Sequence, residues 1–122
     1  MEIVQIQIKI ESLIDKLSEM RLSVRKFGEQ KADSNSEYEK QIALTILKLK
    51  NGIITEFEGV EIKTLPATVL EKIARGICWK YKYEAELAET KYKAAIVAID
   101  SLKAELNGYQ SIYRYSEYST ND

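Results

Sequence analysis

Histidine is absent from all 122 residues. Its absence removes imidazole as a general base, as a metal ligand and as the middle member of a nucleophile triad. A single cysteine, Cys78, excludes an internal disulfide and a thiolate zinc cluster, and agrees with a reducing compartment. One proline and five isolated glycines leave no glycine-rich phosphate loop and little to interrupt long helices. Long apolar runs are missing too. The first ten residues alternate apolar side chains with Gln, Lys and Glu, so neither a signal peptide nor a membrane span is expected, and a cytoplasmic location is the default. Neither sign of charge dominates: 18 Lys+Arg stand against 19 Asp+Glu, for a formal charge of -1. This balance argues against gross electrostatic attachment to duplex nucleic acid, and any basic patch has to be local. Acids and bases are interspersed along the chain, which also argues against an acidic mimic of DNA.

What is present is heptad spacing. Ile3, Ile6, Ile10, Leu13, Leu17, Met20, Val24 and Phe27 follow one another in alternating steps of three and four, which places them on one stripe of a helix. Val4, Ile6, Ile8 and Ile10 also alternate as a strand would, but the heptad runs on to Phe27 where no strand reading exists. Gly28 stands where a C-terminal cap is expected, after Arg25 and Lys26. Residues 29–35 are polar and read as a loop. Ser34 and Glu37 have capping-box spacing and predict a second helix through Tyr38, Ile42, Ile46 and Leu49, ended by Asn51-Gly52. The same Asn-Gly is compatible with a hairpin between residues 44–50 and 53–57. Residues 53–63 read as extended or hairpin-like, with Gly59 as the turn.

Thr64-Leu65-Pro66 predicts the start of a short helix to Arg75 that buries Val69, Leu70 and Ile73, with Gly76 either ending it or acting as a hinge. A second heptad series then runs through Tyr81, Ala85, Ala88, Tyr92, Ala95, Ile99, Leu102, Leu106, Tyr109 and Tyr113. Ala74 and Cys78 extend its phase backwards. The stretch from Tyr81 to Tyr113 spans roughly 50 Å as a helix, against about 37 Å from Ile3 to Phe27. A mainly α single domain follows, with long coiled-coil-like first and last helices and shorter helices and a possible small hairpin between them. Its expected parts are an N-terminal helix (1–28), a helix plus extended or hairpin segment (34–63), a short and a long C-terminal helix (64–115) and a tail (116–122). The excess length of the C-terminal seam predicts self-association as a dimer or higher oligomer.

Chemistry-bearing patterns are sparse. Glu84, Glu86 and Glu89 sit among lysines on helix faces, where solvation accounts for them, and Cys78 lies in phase with the seam as a small buried hydrophobe. No catalytic residue, metal site or cofactor is expected. One cluster stands out: Arg75, Trp79, Lys82 and Tyr83 fall on neighbouring positions of one helical face, with Lys72 a turn earlier. A cationic aromatic surface of this kind suits either stacking on a base or packing against a protein, although Trp79 could instead pack onto residues 53–62. Tyr115 and Tyr118 belong to a tyrosine-rich tail whose composition favours recognition, whereas Tyr109 and Tyr113 continue the heptad.

The runs Leu65-Pro66-Ala67-Thr68, Ile73-Ala74-Arg75-Gly76, Tyr92-Lys93-Ala94-Ala95 and Asn107-Gly108-Tyr109-Gln110-Ser111 resemble small, mostly uncharacterised helical proteins encoded by phages and prophages of low-GC Gram-positive bacteria. The resemblance spans roughly residues 64–115 and carries over no functional residue. It implies a phage protein acting in the host cytoplasm. The expected function is non-catalytic: binding and inhibition of a host protein through Trp79, Lys82, Tyr83, Tyr115 and Tyr118, with an anti-defence role such as anti-CRISPR as its most specific form. The alternative is a nucleic-acid or signalling-nucleotide binder, a recombination accessory or a messenger-sequestering sponge, using Lys72, Arg75, Trp79 and Lys82.

Overall fold

A computed structural model of the chain describes residues 2–120, with side chains as far as residue 118. Its elements are α1 (Ile3–Lys50), β1 (Glu56–Phe57), β2 (Val60–Glu61), α2 (Ala67–Ile77) and α3 (Trp79–Thr120). The mainly α class is observed as the heptads predict, with long first and last helices and a small hairpin between them. By internal packing the chain divides into two units, one holding residues up to Phe27 and from Lys91 onward, the other Gly28–Thr90.

The first helix differs from the expected one. Gly28 does not end the first helix, and residues 29–35 form no loop: α1 is one helix of 48 residues. Half-buried Lys31 and Ser34 keep the seam in phase between Phe27 and Tyr38, and Glu29, Gln30, Lys31 and Ala32 are good helix formers. With α3 at 42 residues, the C-terminal helix is the shorter of the two, the reverse of the expected order. Asn51-Gly52 ends the helix, as the favoured reading has it, and the hairpin turns at Gly59 rather than there. Gly52 (φ +70°) instead caps α1, its N–H bonding Leu49 O at 3.3 Å while Ile53 N–H bonds Lys48 O at 2.9 Å, the bond pair of a Schellman motif.

In the first unit α1 and α3 run antiparallel. Gln7 Nε2 donates to Tyr113 Oη at 3.1 Å, and Lys9 Nζ lies 3.8 Å from Glu105 and 6.0 Å from the Tyr109 ring centroid. These exposed contacts are each worth about 1 kcal/mol or less. The seam carries the stability: Ile6, Leu13 and Leu17 from α1 and Ala95 and Ile99 from α3 are buried, each large aliphatic contributing about 1.5–3 kcal/mol of transfer free energy.

The second unit has its own core of Tyr38, Ile42, Leu49, Ala74, Cys78 and Ala85, against which Ile46, Ile54, Ile62, Leu70, Ile73 and Ile77 pack. Small residues on α2 and α3 meet large ones on α1, and this size match permits close helix approach. Thr45 is buried as well, its Oγ1 3.3 Å from Cys78 Sγ, with either atom able to donate. Cys78 is thus a core residue, in agreement with its heptad phase.

β1 and β2 pair antiparallel, Phe57 opposite Val60 and Glu56 opposite Glu61, and the ladder is extended by Ile62 N–H to Thr55 O at 2.8 Å. Both turn residues have positive φ, Glu58 at 51° and Gly59 at 78°, as a type I′ turn requires. Glycine takes this conformation freely, whereas a glutamate there costs on the order of 1 kcal/mol. Downstream, Pro66 precedes α2 with no side-chain cap, so Thr64 does not act as one. The Pro66 carbonyl accepts from Val69 and Leu70 N–H instead. Val69 is exposed, contrary to expectation, while Leu70 and Ile73 are half-buried. α2 continues through Gly76 to Ile77.

Candidate functional site

The strongest surface cluster belongs to the second unit, where the hairpin meets the junction of α2 and α3. Cys78 (φ -88°, ψ 19°) separates the two helices, although Cys78 N–H still reaches Ala74 O and Lys82 N–H reaches Cys78 O. Gly76 lies inside α2 for a packing reason. A Cβ built on it would stand 3.0 Å from Phe57 Cζ and 3.3 Å from Cε1, so the Phe57 ring rests on bare backbone. A groove of about 290 Å³ opens beside this contact, lined by Ile54, Glu56, Phe57, Glu58, Gly76, Ile77 and Trp79.

Trp79 starts α3 with 57% of its surface exposed, and Tyr83, one turn on, is 60% exposed. Leu87, a further turn along, is exposed too, so the three share a stripe distinct from the buried seam of Ala85 and Ala88. Trp79 is therefore a surface residue whose one side borders the hairpin. Lys80 Nζ sits 5.6 Å from its ring centroid, and Lys82 Nζ lies 4.0 Å from Glu86.

The cations predicted to accompany Trp79 are divided between two helices. Lys72 and Arg75 are on α2, Trp79 and Lys82 on α3, with Cys78 interrupting the helix between them. Arg75 is engaged elsewhere. Its guanidinium donates to Glu71 at 2.9 Å and to Tyr38 Oη at 3.4 Å, and these bonds, Glu71 first, push its pKa above the ordinary arginine value. In the nucleotide-binding alternative Arg75 would have to leave this exposed pair. Tyr115 and Tyr118, exposed by 76% and 78%, belong to the first unit and form a separate patch near the end of α3.

The rest of the surface offers little chemistry. A cleft of about 300 Å³ in the second unit is lined mainly by Leu49, Ile54, Ile62, Leu65 and Leu70, with Lys50 and Lys63 at its edge. Among the described residues, no group of His, Cys, Asp or Glu could hold a metal ion, and no buried polar side-chain atom lacks a partner. No described helix is long and apolar enough to cross a membrane. No protein-family model, curated protein or solved structure matches the chain.

Sequence reasoning missed the hairpin half of the cluster. Phe57, Glu58 and Ile77 were not singled out, yet they complete the groove beside Trp79. The available signals were the acid-apolar alternation of Glu56-Phe57-Glu58 and the placement of Gly76 one turn after Ile73 on an otherwise helical segment.

Proposed function

We propose that this protein is a non-catalytic helical scaffold that binds another protein through the face formed by Trp79, Lys82 and Tyr83, and inhibits it. The observation that carries this reading is a pair of aromatic side chains one turn apart, each more than half exposed, on a helix that already buries a separate seam. Exposed Trp and Tyr offer large contact area at low entropic cost, and such residues dominate interface energetics. The adjoining hairpin groove enlarges the surface. Tyr115 and Tyr118 form a second candidate patch on the other unit. In keeping with the phage resemblance, the proposed partner is a host protein and the role anti-defence, anti-CRISPR activity being its most specific form.

The test compares the wild-type chain with the W79A/Y83A double variant. Both side chains are mostly exposed, so the variant should keep its helical circular dichroism and lose about 1 kcal/mol of stability or less. A host protein captured by the wild type and confirmed with purified components should bind the variant at least tenfold more weakly, as expected when a central aromatic pair is truncated. Equal affinity of the two proteins for that partner would refute the reading.

A further inference from the structure

The groove beside Trp79 has a chemical character that narrows the partner. Its floor is apolar, made by the Phe57 ring over Gly76 and by Ile54 and Ile77, and its volume suits one large side chain. Two carboxylates, Glu56 and Glu58, line it, and no cation does. Glu61 stands directly opposite Glu56 across the strand pair and adds a third negative charge to the hairpin. Like charges facing each other across a hairpin repel, and none of the three glutamates has an ion-pair partner among the described residues. The nearest cations in sequence, Lys50 and Lys63, line a different cleft, while Lys80 lies over the Trp79 ring and Lys82 beside Glu86.

We infer that this groove takes a basic segment of the partner protein. One large apolar side chain enters between Phe57, Ile77 and Trp79, and flanking lysine or arginine side chains meet Glu56, Glu58 and Glu61. The assignment rests on the reading of the Trp79 face as a protein-binding surface and adds the partner's charge and shape. Complementary charge steers the encounter and relieves the repulsion within the hairpin, while the apolar side chain supplies the buried contact. A guanidinium or ammonium arriving at the open face of Trp79 gains a further cation-π contact.

The chain carries one tryptophan, so its emission reports this groove directly. The probe is a twelve-residue peptide alternating lysine with leucine, titrated against the full chain beside an analogue with glutamate in place of every lysine. The expected result is a saturable shift of Trp79 emission with the lysine peptide only, weakened about tenfold in the E56Q/E58Q/E61Q variant and again by raising salt from 50 to 300 mM. All three glutamates are exposed, so the variant should fold as the parent does, which circular dichroism verifies. Equal response to the two peptides, no response to either, or undiminished binding by the triple variant would each overturn the basic-partner assignment. Those outcomes leave the capture result of the W79A/Y83A variant to decide the broader reading independently. Sedimentation of the chain alone excludes the remaining occupant: a monomer supports the proposal, and a dimer dissolved by the triple substitution would assign the groove to a second copy's Lys80–Tyr83 run and overturn it.

Discussion

Replacing Gly76 by alanine sets two effects of opposite sign against each other, and Phe57 decides between them. In a helix interior alanine is favoured over glycine by about 0.5–1 kcal/mol, because glycine loses more backbone freedom on folding. Near the end of α2 the lower half of that range applies. Against this gain, the new methyl would sit 3.0 Å from Phe57 Cζ and 3.3 Å from Cε1, inside ordinary van der Waals separation. The ring must give by a few tenths of an ångström or more, and overpacking of this kind costs about 1–3 kcal/mol, with the low end expected because the ring sits on a short hairpin. G76A alone should therefore destabilise by about 0.5–2 kcal/mol. In an F57A background the obstacle is gone, and the same substitution should stabilise by about 0.5 kcal/mol. Urea denaturation followed by helical circular dichroism closes the cycle, with an expected interaction energy of about 1–2 kcal/mol. If G76A stabilises equally with and without Phe57, the ring does not rest on Gly76, and the groove described beside Trp79 loses its floor.

Gly108 supplies the contrast: it lies inside α3 with nothing within 4 Å of its would-be Cβ, so G108A should stabilise by about 0.5–1 kcal/mol in the same melts. Continuity of α1 is tested by A32P, which should cost about 3 kcal/mol and reduce helicity; a loss below 1 kcal/mol would restore the loop that the sequence suggested around residues 29–35. In the core of the second unit, C78A leaves the Thr45 hydroxyl buried and unpaired and should cost about 2–3 kcal/mol. T45V keeps the volume and strands only a weak thiol donor, so it should cost less than C78A, and the reverse order would show that Thr45 and Cys78 do not pair.

The heptads were legible because burial follows them closely: Ile6, Leu13 and Leu17 on α1 and Ala85, Ala88, Ala95 and Ile99 on α3 all lie on the predicted seams. Cys78 took its predicted place by the same phase. The extent of α1 was not read correctly, and the reason is physical. A seam position need only be half-buried to keep a helix in register, so Lys31 and Ser34 occupy two such positions with polar side chains that look like loop residues. The phase itself held the answer, since Phe27 and Tyr38 are eleven residues, or three turns, apart. Around Asn51-Gly52 two motifs competed. The Schellman bonds of Gly52 and Ile53 to the end of α1 won over a hairpin, and the turn fell at Glu58-Gly59, where glutamate is an unusual occupant.

The site was legible only in its helical half, because periodicity describes one helix at a time. Spacing placed Trp79 and Tyr83 on one face, but it extended that face across Cys78 to Arg75 and Lys72. It could not show that Arg75 turns instead to Glu71 and Tyr38. What stands beside Trp79 is set by a contact between different elements, Phe57 against Gly76, and no repeat in the sequence encodes that. Glu56 and Glu58 add acidic neighbours on the hairpin side to the basic ones expected on the helix: phosphate would be repelled from the rim they make, whereas lysine and arginine would be attracted to it.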